Sequence, residues 1–226
     1  MYFLVNHDYK VIFGWSAKCG CSHIKNIFWY LKNNKINNRI HTNEDRMQLP
    51  NDIENYTTII FCRNPYTRVI SGFLDKYNVN GQYRHLWKYD NISFYQFIGE
   101  LIKFNWKLIE KHHFIPQTDE YFDINKIIKS KYIKFYDIEN IDYEYIENLF
   151  NKQIPTKILN VTFGHERKKY DEYFEEFVYY LDINTYYHYN VSIKYFYNEE
   201  LQQKVYNFYE NDFKIFKQYG FDYKII

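Results

Sequence analysis

The stretch VIFGWSAKCGCSHIKNIF, Val11 to Phe28, changes its hydrophobic period half-way. Lys10 to Trp15, with its apolar run VIFGW, reads as a short strand, and Tyr2 to Val5, on the other side of the polar turn NHD, reads the same way. Beyond Gly20 the apolar residues Ile24, Ile27, Phe28 and Leu31 recur at i, i+3, i+4 and i+7, the spacing of one helix face. Ser22 is the expected N-cap of that helix. A strand that turns through a tight loop into a helix is an arrangement that binds phosphate. The first helical amides lack internal acceptors, and the helix dipole adds about half a positive charge there. Gly20 lets the backbone approach a ligand closely, and Lys18 adds a mobile full charge.

The same residues carry other readings. Cys19, Cys21 and His23 are zinc-ligand types at C-x-C-x-H spacing, but no second ligand cluster lies near them. A C-x-C redox pair lacks thioredoxin-like surroundings. A plain strand-to-helix turn needs no ligand at all. A Walker loop fails on spacing, because its Lys follows the second Gly, whereas Lys18 precedes Gly20.

Working outward, Thr58 to Cys62 (TIIFC) suits a buried parallel strand, and Pro65 suits the first position of the helix after it. Val69, Ile70, Phe73, Leu74 and Tyr77 mark the face of that helix. Ser93 with Gln96 forms a capping-box pattern. Lys131 to Phe135 reads as a third core strand, and helices are predicted over Tyr143 to Phe150, Tyr170 to Leu181 and Glu199 to Gln218. Lys32 to Asn55 is polar and loop-rich. Strands alternating with helices predict an α/β fold, three-layered and P-loop-like, with a mainly parallel central sheet flanked by helices. With no repeat or linker in view, residues 1–226 are expected to form a single domain.

Lys plus Arg (29) exceeds Asp plus Glu (28) by one, so nothing suggests general attraction to nucleic acid or a membrane surface, and any anion site must be local. The odd cysteine count (Cys19, Cys21, Cys62) argues against a disulfide framework. No apolar run reaches the ~20 residues that span a bilayer, and MYFLVNHDYKV is a poor signal peptide. The chain therefore reads as soluble and cytoplasmic, and the Asn-x-Ser/Thr sites at Asn91, Asn160 and Asn190 would go unused there.

The second informative stretch is RNPYTRVISGFLDKY, starting where a strand ends, the place where open α/β sheets bind ligands. An Arg at the strand tip (Arg63) with a hydroxyl on the following helix (Ser71) suits a second, separate phosphate. Arg68 suits either a helix salt bridge or a ligand contact. Two phosphate grips without a Walker Lys suggest a nucleotide phosphorylated at two positions. Here the sequence resembles the PAPS-dependent sulfotransferases, closest to the Golgi-type carbohydrate sulfotransferases. AKCGCSHIK resembles their 5′-phosphosulfate loop, P-K-x-x-C-T-x-W-K, and RNPYTRVISGFLDKY their 3′-phosphate motif, R-D-P-x-x-R-x-x-S-x-x-x-x-K-F. HFIPQTDEY resembles a later H-W-x-P-Q segment. KYIKFYDIEN, HYNVS and YENDFKIFKQYGF resemble the segments that follow. Ala17, Ser22, Ile24 and Asn64 replace the family's Pro, Thr, Trp and Asp, and the usual membrane anchor and later cysteines are missing.

The resemblance implies sulfuryl transfer from PAPS to a hydroxyl of a carbohydrate-type acceptor, with PAP as product and no metal. Amides of Cys19, Gly20, Cys21 and Ser22 would hold the 5′-phosphate, Lys18 the leaving bridge oxygen, and Arg63 with Ser71 the 3′-phosphate. A base is needed, and His suits. His41 lies where related enzymes carry a base, His113 opens the H-F-x-P-Q segment, and a carboxylate or another His such as His23 is the remaining choice. Asn78 to Ile92, with Arg84, His85, Trp87 and Lys88, and Ile154 to Lys168 are candidate acceptor walls or merely exposed loops. A kinase-like nucleotide enzyme and a non-catalytic binder of nucleotide or glycan are the competing functions.

Overall fold

A computed structural model of the chain describes residues 1–35, 46–88, 91–119, 122–159 and 171–225. In chain order its elements are β1 (Tyr2–Asn6), β2 (Val11–Trp15), α1 (Cys21–Asn33), β3 (Thr57–Cys62), α2 (Pro65–Lys76), α3 (Phe94–Leu101), α4 (Lys111–Phe114) and α5 (Ile124–Ile127). There follow β4 (Tyr132–Asp137), α6 (Tyr143–Phe150), α7 (Thr156–Leu159), β5 (Tyr173–Phe174), α8 (Ile183–Tyr186), β6 (Asn190–Val191), α9 (Glu199–Phe208) and α10 (Glu210–Gln218). Two compact units divide the chain: Met1–Arg63 with Gln117–Gly164, and Asn64–Pro116 with His165–Ile226.

The first unit holds a sheet of order β1-β2-β3-β4, in which β1 and β2 are antiparallel and the other pairs parallel. The NHD turn closes the hairpin because the Asn6 side chain accepts from the amides of Asp8 and Tyr9. β2 and β3 are buried along their whole length, as interior strands covered on both faces must be. α1 packs on β1 and β2, and its Ile24, Ile27, Phe28 and Leu31 join Phe13, Ile59, Phe61 and Phe150 in one core. Each such side chain contributes roughly 1.5–3 kcal/mol by burial. The expected α/β fold with a mainly parallel sheet flanked by helices is the fold observed. One local expectation fails. Gly20, not Ser22, is the N-cap of α1, in the left-handed region at φ 62 and ψ 26, and Ser22 is already inside the helix. The preceding loop curls so tightly that the helix starts earlier, at a residue only glycine adopts without cost.

The second unit has its own core, built by Tyr66, Phe73, Phe94, Phe97, Phe114, Tyr186, Phe196, Leu201 and Phe213. α2 starts as the sequence indicates, with Pro65 at the first helical position and the Asn64 side chain accepting from the Tyr66 amide. The capping box of Ser93 and Gln96 forms at the start of α3. The predicted helix over Tyr170 to Leu181 is absent from its described part, residues 171–181. Tyr173–Phe174 instead pairs with Asn190–Val191, and the Val178 amide donates to the Tyr195 carbonyl. Distant pairing outcompetes the local i→i−4 bonds of an aromatic-rich segment with weak helix propensity. The predicted helix over Glu199 to Gln218 breaks at Tyr209, φ −105 and ψ 22, whose hydroxyl donates to the buried Phe114 carbonyl at 2.7 Å.

Candidate active site

The loop after β2 is a turn closed by the Cys19 amide on the Ser16 carbonyl at 3.2 Å. Lys18 occupies its third position at φ 64, where glycine is usual. A non-glycine residue there costs about 1–2 kcal/mol, the kind of strain that collects at functional sites. Gly20 is again left-handed, and the first helical bond of α1 runs from the Ile24 amide to the Gly20 carbonyl at 3.0 Å. The amides of Cys21, Ser22 and His23 precede that bond and are the open donors of the helix. Left-handed residues in such a turn curve successive amides into an anion-binding concavity. Lys18, Gly20, Cys21 and Ser22 are half-buried, so a ligand reaches them.

Arg63 stands just past the C-terminal end of β3, and its guanidinium Nη1 donates to the Lys18 carbonyl at 3.0 Å. The loop and the strand tip thus share one end of the parallel strands β2 and β3, where such sheets bind ligands. Gln117 joins them. Its Oε1 accepts from the Arg63 amide at 3.0 Å and from the Cys19 thiol at 2.9 Å, and its Nε2 donates to the Arg63 carbonyl at 2.8 Å. This cluster is a cationic edge carrying open amides, suited to phosphate esters.

The sequence matches the sulfotransferase family over residues 1–220. The chain belongs to the sulfotransferase family. No curated protein and no solved structure matches it. The protein is a sulfotransferase, an enzyme of the class that takes its sulfuryl group from PAPS. Among the described residues, no helix of this sulfotransferase is long and apolar enough to cross a membrane, and no group of three His, Cys, Asp or Glu could hold a metal.

The remaining residues of interest in the sulfotransferase are distributed as follows. Ser71 is half-buried on α2, in the second unit. Arg68 on the same helix is 1% exposed, and its Nη1 donates to the Ile115 carbonyl at 2.9 Å. It serves as a backbone clamp, a role absent from the sequence reading. His113 lies in the second unit, with Nδ1 2.5 Å from Glu110 Oε2 and its ring against Tyr83. Burial raises the Glu110 carboxyl, but the His113 hydrogen bond and charge and the amides of His112 and His113 outweigh it, and the net effect holds it below its ordinary value. His41 lies outside the described residues. His23 lies beside the loop at 2.9 Å from the Tyr143 hydroxyl, and burial lowers its affinity for a proton. Of the proposed acceptor contacts, Trp87 is a core residue whose indole donates to the Asn91 carbonyl at 3.2 Å, because the 3₁₀ turn Arg84–Leu86 folds it inward. His85 is exposed, with Nδ1 3.0 Å from the Gln82 carbonyl, and Lys88 is exposed too. Ile154 to Lys168 runs mostly outside the described residues.

The sequence reading did not single out Gln117 or Glu110. Both left a signal: Gln117 ends the H-F-I-P-Q segment, and Glu110 stands three residues before His113.

Proposed function

We propose that this sulfotransferase moves a sulfuryl group from PAPS to a hydroxyl of a carbohydrate-type acceptor, by in-line displacement with a general base. One observation carries the reading: the Arg63 guanidinium bonds to the Lys18 carbonyl, which supports two anion grips on one edge of the first unit. When bound, PAPS supplies the sulfuryl group and leaves as PAP. The open amides of Cys21 and Ser22, with the turn at Cys19 and Gly20, bind the 5′-phosphate at the positive end of α1. The Ser22 hydroxyl adds a donor. Lys18 neutralises charge building on the bridge oxygen as the sulfur–oxygen bond breaks. Arg63 binds the 3′-phosphate and so selects a bisphosphate over simpler nucleotides. Ser71 joins that role on its sequence motif alone. His113, oriented by Glu110, is proposed as the base that takes the acceptor proton, with His41 as the other candidate.

The experiment is a melting assay paired with transfer of radiolabelled sulfate from PAPS to a glycan panel, with Lys18→Ala as control. PAP at one hundred times its dissociation constant stabilises by about 2.7 kcal/mol, a rise of roughly 5–10 °C at this length. Lys18→Ala is expected to lower transfer by about 10²–10³-fold. A shift with ATP but none with PAP would replace this reading by a kinase-like one, and PAP binding without transfer to any acceptor would point to a non-catalytic binder.

A further inference from the structure

Alternate peptide groups of β3 face opposite neighbours. The Thr57 amide reaches the Lys10 carbonyl at 2.8 Å on the β2 side, and the Cys62 carbonyl accepts from Ile138 at 3.0 Å on the β4 side. The alternation aims the peptide groups of Thr57, Ile59, Phe61 and Arg63 at β2. Yet β2 pairs with β3 only as far as Gly14 with Ile60, and it ends at Trp15, where the chain turns into the anion-binding loop. The Arg63 peptide group therefore projects past the end of its strand partner. A partly buried amide and carbonyl in that position lose stability if no hydrogen bond meets them.

The Gln117 side chain stands in for the strand that has turned away. Its carboxamide is a peptide group in miniature, accepting from Arg63 N–H and donating to Arg63 C=O at 3.0 and 2.8 Å. Its Oε1 takes a further hydrogen bond, from the Cys19 thiol of the loop. Gln117 is 0% exposed and Cys19 is equally buried, so the thiol bond is shielded from water, while the two bonds to the half-buried Arg63 are partly so. The loop that turned away is thereby tied back to the strand it left, through one amide.

We infer that Gln117 is a positioning residue that fixes the spacing between the 5′-phosphate loop and the 3′-phosphate grip at Arg63; the inference rests on the PAPS reading above. Gln117 acts through the Arg63 backbone and Cys19, and touches neither phosphate itself. A rigid spacing matters for a ligand with two anionic ends, because once one end is held the second contact is intramolecular, and its strength depends on whether the distance matches. For a ligand with one phosphate the spacing is irrelevant. This gives the role a signature that general damage to the fold does not share.

The test is calorimetric titration of the full chain with PAP, 5′-AMP and 3′-AMP. Wild type is expected to bind PAP far more tightly than either monophosphate. Gln117→Ala is expected to weaken PAP by about tenfold or more, as a misplaced grip does. The monophosphates should change by less than about threefold, since neither uses the spacing. Gln117→Glu keeps an acceptor for Arg63 N–H and the Cys19 thiol but loses the donor to the Arg63 carbonyl. It should show an intermediate, PAP-selective loss, and it carries the test if Gln117→Ala does not fold. Equal losses for all three ligands, or unchanged PAP affinity in both variants, would overturn the inference while leaving the PAPS reading intact. Failure of wild type to bind PAP would overturn both.

Discussion

Gly20→Ala isolates the backbone of the phosphate loop from its side chains. A Cβ at Gly20 would meet Ile138 Cγ2 at 3.8 Å and the Ile24 Cδ1 at 4.0 Å, ordinary contact distances, so the cavity accepts a methyl group. The cost comes from conformation, because φ 62 and ψ 26 place the residue in the left-handed region. An L-residue there costs about 1–2 kcal/mol. Stiffening of the unfolded chain by alanine returns about 0.4–1 kcal/mol. The net, about 1 kcal/mol, should lower the melting temperature by roughly 2–4 °C at this length. The larger effect should fall on the ligand. Relief of the strain moves the start of α1, and with it the amides of Cys21 and Ser22, so PAP affinity should drop about tenfold or more for a small loss in stability. Gly20→Asn, which tolerates the left-handed region, should recover most of both. The measurements are a melting curve and a PAP titration of each variant. Wild-type PAP affinity in Gly20→Ala would refute the view that the left-handed cap shapes the anion site.

Three further outcomes are expected. His113→Ala and His41→Ala, compared in the sulfate-transfer assay at saturating PAPS, should separate the candidate bases: the true base costs about 10²–10⁴ in turnover, and a loss under tenfold in either excludes it. Burial holds the His23 imidazole below its ordinary 6.5, so the unfolded chain takes the proton more readily. The stability it contributes is complete above 6.5, begins to fall as pH drops below that value and is lost as pH falls through the lower folded-state value, and His23→Gln, scanned by melting from about pH 7 to about pH 5, should flatten this decline. Gly72→Ala would set a Cβ 2.6 Å from Phe114 Cε1 in the core of the second unit. Overpacking of this kind costs about 1–3 kcal/mol, and a variant that melts like wild type would show that Phe114 moves aside freely.

Local patterns were legible wherever short-range physics decides the outcome. The helix Tyr143–Phe150 and the capping box at Ser93 follow from spacing and polar caps, and both appear as read. Ser22 was misread because N-cap preference describes a side chain, whereas the turn at Lys18 and Gly20 caps the helix through backbone geometry. The segment from Tyr170 and the break at Tyr209 were misread because their partners are distant: Asn190–Val191 for β5, and the Phe114 carbonyl for the Tyr209 hydroxyl.

For the site, the sequence alone determined the residue types and their order: a basic, glycine-bearing loop after one strand and an arginine at the end of another. Those are chemical facts carried by the side chains, and both motifs lie within residues 1–220, the span that matches the family. Only the tertiary structure decided that the Arg63 guanidinium meets the Lys18 carbonyl and that Gln117, far along the chain, supplies the missing strand partner. The reason is physical. Buried amides and carbonyls must find partners wherever the fold brings them, and no local spacing records which distant side chain arrives.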